Sequence, residues 1–386
     1  MSRSVAPQVA HLLVAVAAAV ALTVTLGGCG GDRPAASTSA APSQFSSSGR
    51  EFVGLVAPEL LPLALDRQRS VFHRQAAAGA GLLRQTFQWN EIEPQQGHWS
   101  WALHDALVQA AAENGIEILP IVFNVRADQQ ASAKPGVTIT ATTTMPPKSP
   151  QAFAAFAAAL VKRYGPTGSF WTSHPKVPKL PIRSWQVWNE PNLKAYWGGR
   201  PNPEEYARLL AATERAIHRV DRSAEIVTGG VPESKLGIPM RDYIKLLAKA
   251  APDGSFDTLA IHPYAKTVDG VVAATLRARA YLDGAGLRNV GLWVTEVGWA
   301  AGGPSSPFTV GPKTQGQHVA EVLQRLGNLS EKLRLRGVVY YAWRDAPPYP
   351  GGKEFWGLHT GLLTRAGTPK PALKYFASAA SALRAG

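Results

Sequence analysis

Eight short apolar segments recur along this chain, each followed by a stretch with helical spacing, and that alternation narrows the possible folds more than any other feature. The segments are Phe52–Val56, Leu82–Thr86, Glu117–Phe123, Ile182–Trp188, Glu225–Thr228, Thr258–Ile261, Leu292–Thr295 and Gly337–Tyr341. The helical stretches are Phe72–Ala80, Trp101–Glu113, Pro150–Tyr164, Pro203–Val220, Met240–Ala250, Val271–Leu282, Gln315–Leu333 and Pro371–Leu383. Repetition of strand, helix and strand implies a parallel sheet with right-handed crossovers. Eight repeats predict closure into a single α/β domain, a (β/α)8 TIM barrel. The competing arrangement is an open doubly wound sheet, but no glycine-rich phosphate loop opens the first helix. Two connections exceed turn length: Arg126–Pro147 after the third strand and Ala300–Pro312 after the seventh. Both leave carboxyl ends of strands, where a barrel carries its site, so they are expected to wall a cleft.

The first fifty residues read differently. Arg3 sits in a short polar start, and Leu12–Leu26 is a largely apolar run. It is shorter than the ~20 residues of a membrane span. Small residues and Cys29 follow, as after an export signal. The string Leu26-Gly27-Gly28-Cys29 resembles a bacterial lipobox, which implies acylation at Cys29 and a lipoprotein held at the membrane outside the cytoplasm. Residues 30–50 are rich in Ala, Ser, Pro and Gly and carry too little apolar surface to fold, so they read as a flexible tether. The expected organisation is therefore a signal over 1–29, a tether over 30–50 and a catalytic domain over 51–386.

Composition excludes several chemistries. Cys29 is the only cysteine of 386 residues, so no internal disulfide can form, and no Cys/His cluster has metal-ligand spacing. The formal charge of +13 comes from scattered Lys and Arg, which fits a basic solvated surface or attraction to acidic glycans and envelope polymers better than a nucleic-acid stripe. The Gly-x-Ser-x-Gly elbow, the His-Glu-x-x-His helix and the phosphate loop are all absent. The eleven tryptophans serve either core packing or stacking on pyranose faces.

Two local motifs carry chemistry. Trp188-Asn189-Glu190-Pro191-Asn192 closes the fourth strand, and Trp293-Val294-Thr295-Glu296-Val297-Gly298-Trp299 closes the seventh. In a barrel these two strand ends face each other across the mouth, so their carboxyl groups can flank one glycosidic bond. Such a pair works when one carboxylic acid protonates the leaving oxygen while the other carboxylate attacks the anomeric carbon. Their surroundings must hold the two pKa values apart.

On these motifs the segment from Glu51 onward resembles clan A glycoside hydrolases, nearest to family 39, the group of β-xylosidases, α-L-iduronidases and exopolysaccharide glycosidases. The resemblance implies that Glu190 is the acid/base, that Glu296 is the nucleophile, and that Asn189 bonds a sugar 2-hydroxyl. It implies that Arg84, in Leu83-Arg84-Gln85-Thr86-Phe87, keeps the nucleophile ionised. His262 and Tyr264, in His262-Pro263-Tyr264 at the sixth strand end, would line the sugar site, with Tyr264 orienting the nucleophile. Trp343 would lie beneath the sugar as an aromatic platform. Trp197 and Trp299 follow the catalytic strands and either stack neighbouring sugars or pack in the core. The loop Trp89-Asn90-Glu91-Ile92-Glu93-Pro94, with Gly97-His98-Trp99, reads as a structural motif, which leaves Glu91 and Glu93 out of the chemistry.

The expected activity is thus hydrolysis of O-glycosidic bonds in an oligo- or polysaccharide, with retention and without metal or organic cofactor. Two alternatives share these features: a barrel that binds envelope polysaccharide without cutting it, and a transglycosylase using the same two carboxylates.

Overall fold

The computed structural model describes residues 49–140 and 142–385. The signal, the lipobox with Cys29 and the tether up to residue 48 lie outside the described residues. The described strands are β1 (Val53–Val56), β2 (Leu82–Gln88), β3 (Glu117–Phe123), β4 (Ser184–Val187), β5 (Glu225–Thr228), β6 (Val231–Pro232), β7 (Thr258–His262), β8 (Gly291–Val297) and β9 (Leu335–Tyr341). All pairings between them are parallel. β1 pairs with β2 on one side and β9 on the other, and β5 pairs with β7, so the sheet closes. An open doubly wound sheet has two free edges and is thereby ruled out.

Nine segments make an eight-stranded barrel because the fifth strand is interrupted. Gly229 and Gly230 separate β5 from β6, and Val231 resumes pairing with Ile261 of β7. The sixth, seventh and eighth barrel strands are therefore β7, β8 and β9.

Helices wrap the barrel in the predicted order. Pro150–Tyr164 and Met240–Ala250 match their expected limits. The first long helix runs Leu65–Ala77, earlier than expected, and stops before Gly79, whose φ of 95° breaks the helical path. The stretch expected as Gln315–Leu333 starts at Pro312, a favoured first helical position, and breaks at Leu329 into Pro312–Asn328 and Ser330–Leu333. A 3-10 turn covers Arg50–Phe52, and Gly81 is glycine because a Cβ there would meet the Arg50 carbonyl at 2.0 Å. No helix among the described residues is long and apolar enough to cross a membrane.

The period of two along a strand sorts side chains between two apolar layers. Outward residues such as Leu55, Leu83, Ile118 and Leu292 join the helices in one large core. Inward residues Val56, Leu82, Leu119, Val227, Ala260, Trp293 and Val339 form a second cluster inside the barrel. The barrel floor is closed by Glu225, which accepts from Ser184 Oγ at 2.6 Å, Thr258 Oγ1 at 2.6 Å and Arg336 Nη2 at 3.1 Å. The interior is thus a filled plug on which polar groups at the carboxyl ends rest.

That plug supplies a stability test. Leu119→Ala empties a site walled by strands that cannot close in, so it should cost about 2–5 kcal/mol. Urea unfolding followed by far-UV circular dichroism measures it, and an unchanged midpoint would contradict the packed interior.

Candidate active site

Above the apolar plug, the strand ends bring a polar layer together. β2 directs Arg84 inward, where it is 1% exposed. Its Nε donates to Gln186 Oε1 at 2.6 Å, Nη1 to Glu296 Oε1 at 2.6 Å and Nη2 to Asn189 Oδ1 at 2.8 Å. One guanidinium therefore ties the ends of β2, β4 and β8. Gln186 in turn donates to the Thr228 carbonyl at 2.9 Å.

Glu190 and Glu296 enter this layer from opposite sides. One carboxyl oxygen of each and one His262 ring nitrogen all lie within 4.8 Å of one another. His262 Nδ1 is 2.8 Å from Glu190 Oε1, and its Nε2 is 3.0 Å from Thr295 Oγ1. Tyr264 donates its hydroxyl to Glu296 Oε2 at 2.9 Å. Glu190 Oε2 is buried without a protein partner. Gly230 makes room for this arrangement, because a Cβ there would strike His262 Nε2 at 1.9 Å.

Glu190 is held by a backbone that few residues adopt. Trp188 has φ 72° and Glu190 φ 43°. Such conformations cost of order 1–3 kcal/mol each. Surrounding bonds hold them: Trp188 Nε1 donates to the Tyr196 carbonyl at 2.7 Å, and Asn192 Nδ2 donates to the carbonyls of Pro232 and Ile238, both at 3.0 Å.

The two carboxyl groups are driven apart in acidity. Burial raises Glu190 above the usual carboxylate range and outweighs its bond to His262, and the nearby Glu296 charge adds to the rise. Burial acts in the same direction on Glu296. There the attraction of His262 and Arg84, with bonds from Arg84 and Tyr264, outweighs it and leaves Glu296 below its ordinary value. One group thus favours its acid form and the other its anion. Glu190, His262 and Glu296 are also the described residues placed to bracket a metal ion. Both Glu296 oxygens and both His262 nitrogens already have protein partners, which suits an acid and an anion held side by side.

Of the residues singled out from sequence, Arg84, Asn189, Glu190, His262, Tyr264 and Glu296 meet in this layer. The three tryptophans do not. Trp343 is fully buried in the outer core and has the Arg74 guanidinium 5.7 Å from its ring centroid, so its ring packs on the helical side. Tyr341, two residues earlier, is the aromatic that joins the barrel interior. Trp197 packs edge-on against Trp188 and Tyr206, each at 5.5 Å, and donates Nε1 to Glu205. Trp299 is enclosed and donates Nε1 to the Ala265 carbonyl at 2.9 Å. None of the three presents a free ring face to a sugar, so the platform expectation is corrected for Trp343, and of the two alternatives for Trp197 and Trp299 both take core packing.

Sequence reasoning overlooked Gln186, Thr295 and Tyr341. The available signal was a polar or hydroxylated residue at an inward register position, as Gln186 is between Trp185 and Val187. Glu93 behaves as a structural residue: it accepts from Trp89 Nε1 at 2.7 Å and Gly97 N at 2.8 Å, and pairs with Arg126 at 3.0 Å.

The two long loops differ. The one after β3 is zipped onto the segment behind Glu190 through Thr144 N to the Ala195 carbonyl at 2.8 Å and Gly198 N to the Thr144 carbonyl at 2.9 Å. The one after β8 sends Phe308 against Tyr264 at 6.1 Å and Trp356 at 4.6 Å, which backs the tyrosine that holds Glu296.

No family model and no curated protein sequence matches this chain. Solved structures do match it in fold. A family 39 glycoside hydrolase from the gut symbiont Bacteroides cellulosilyticus superposes with a TM-score of 0.63 at 20% identity, covering 89% of this chain. The chain spans 65% of that enzyme's length. A monomeric β-xylosidase from Caulobacter crescentus gives 0.59 at 18% identity, over 87% of this chain and 68% of its own. A glucosidase from Croceicoccus marinus gives 0.62 at 14% identity, over 86% and 68%. This chain therefore shares its closed parallel barrel with glycoside hydrolases of known structure.

Proposed function

We propose that this protein is a retaining glycoside hydrolase acting on an oligo- or polysaccharide. The observation that carries the reading is the carboxyl pair: oxygens of Glu190 and Glu296 within 4.8 Å, one group pushed toward its acid form and the other toward its anion. Retaining chemistry uses carboxyl groups about 5–5.5 Å apart, whereas inversion needs roughly 6.5–9.5 Å to seat a water between them.

The residues then divide the work. Glu190 gives its proton to the glycosidic oxygen as that bond to the anomeric carbon breaks. Glu296 attacks the same carbon from the opposite face and forms a covalent ester. Its negative charge disappears in that step, which removes the electrostatic reason for Glu190 to stay protonated. Glu190 now takes a proton from water, the water oxygen bonds the anomeric carbon, and the Glu296 carboxylate leaves. Arg84 and Tyr264 hold Glu296 aimed and ionised, and Asn189, fixed by Arg84, is placed to bond a sugar hydroxyl. Two carboxyl groups suffice, so the reading calls for no cofactor. The glycosidases that share the fold add support. The Leu26–Cys29 string and the apolar run before it support export and a lipid anchor at the membrane.

Glu296→Ala should abolish turnover of aryl glycosides, and added azide should restore it with a glycosyl azide of inverted configuration. Glu190→Gln should lose about 10²–10⁴-fold on substrates with poor leaving groups. A fluorosugar trap mapped by mass spectrometry should label Glu296; label elsewhere refutes the assignment.

The pH profile of kcat/KM should be a bell. It rises as Glu296 ionises below the ordinary carboxylate value and falls as Glu190 loses its proton above it. Arg84→Met removes the cation beside Glu296, so the acid limb should move to higher pH, measured on the folded fraction. An unmoved limb would detach Arg84 from the ionisation of Glu296.

A further inference from the structure

The loop after β3 and the segment after β4 enclose a pocket that the catalytic layer does not use, and helix Pro203–His218 closes its third side. Its volume is about 250 Å³. Sites for drug-sized molecules run roughly 300–1,000 Å³, so this one suits a single small unit. The walls are held in place. Ala131 N donates to the Pro146 carbonyl at 2.9 Å and Lys148 N to the Gln129 carbonyl at 2.8 Å, which pins the two limbs of the loop together. Gly199, at φ 75°, lets the loop approach the segment closely, because a Cβ there would strike Val137 Cγ1. Loop and segment both leave carboxyl ends of strands, so the pocket lies on the face of the barrel that carries Glu190 and Glu296.

The lining is unbalanced in charge. Lys134, Lys148 and Arg208 share it with a single carboxylate, Glu205. Glu205 is already engaged: its Oε1 accepts from Lys134 Nζ at 2.7 Å and its Oε2 from Trp197 Nε1 at 3.2 Å. Among the described residues, Lys148 and Arg208 form no ion pair. Two cations are thus left for an anion. Beside them Met145, Pro147 and Leu209 supply apolar wall. A bare inorganic anion would use the cations and leave that wall unused. A neutral sugar would use the wall and leave the cations. A sugar unit bearing a carboxylate satisfies both, through charge-assisted bonds on one side and covered C–H surface on the other. The formal charge of +13 draws polymers of such units toward the protein.

We propose that this pocket is an ancillary glycan-binding site for a uronate unit, with Lys148 and Arg208 holding the carboxylate. The choice of a glycan as the ligand rests on the glycosidase reading above. None of the lining residues belongs to the catalytic layer, so the site is tested by binding alone, without turnover.

The test titrates the intact protein calorimetrically with glucuronate and galacturonate, with their neutral counterparts glucose and galactose, and with inorganic sulfate. Wild type should bind the uronates in preference to the neutral sugars and to sulfate. Replacing both Lys148→Ala and Arg208→Ala should weaken uronate binding about 10-fold or more, the scale of losing charge-assisted bonds. A charge-matched control, Lys176→Ala with Lys374→Ala, removes two exposed cations elsewhere and should leave binding unchanged. Circular dichroism checks that both variants are folded. Uronate binding that is absent, or equal in wild type and the Lys148/Arg208 variant, overturns the inference. So does equal binding of the neutral sugars, and sulfate held as tightly as the uronates would mark a simple anion site and overturn it too. Each of these results leaves the glycosidase reading intact, whereas failure to hydrolyse any glycoside overturns that reading and leaves the binding result as measured.

Discussion

A buried guanidinium is the constraint around which the rest is arranged. Arg84 lies inside the barrel, where an uncompensated charge costs several kcal/mol even after relaxation. It is tolerated because each of its three nitrogens meets an acceptor: Gln186, Glu296 and Asn189. Those acceptors belong to β4, the loop after it, and β8. Satisfying one side chain therefore sets the relative heights of three strand ends. Deleting either member of a buried ion pair leaves the other charge stranded, typically at about 3–5 kcal/mol. The pair is thus weak as a source of stability and strong as a device for placing Glu296.

The acidity split follows from that placement. Both carboxyl groups are enclosed, so burial raises both. Only Glu296 touches the arginine and the Tyr264 hydroxyl. Glu190 leans on His262 alone and keeps one oxygen without a protein partner. Equal burial and unequal partners give one acid and one anion from the same residue type. The local backbone bears some of the cost, through the left-handed conformations at Trp188 and Glu190 and the gap in the fifth strand that admits the His262 ring.

Aromatic residues form the mechanical support. Trp188, Trp197 and Tyr206 pack edge-to-face behind the acid/base loop. Phe308 and Trp356 back Tyr264 in front of Glu296. These tryptophans thus brace the loops that carry chemistry, while Tyr264 donates its hydroxyl to Glu296 and the Tyr341 side chain joins the barrel interior.

The amino-acid order alone determined the strand–helix alternation, the closure it demands and the two glutamates at strand ends, because hydrophobic period and short motifs are local properties. Arg84 was legible only through the resemblance of its strand motif; its inward position shows in the structure, where it shares a face of β2 with Leu82. Tertiary structure decided what locality cannot carry. It interrupted the fifth strand, set the distance between Glu190 and Glu296, and gave them different neighbours from β2, β7 and the segment after it. It also turned Trp343 outward and left Tyr341 inside. Past the last paired residue the pleat no longer dictates which face a side chain takes, and packing against helices distant in the chain makes the choice.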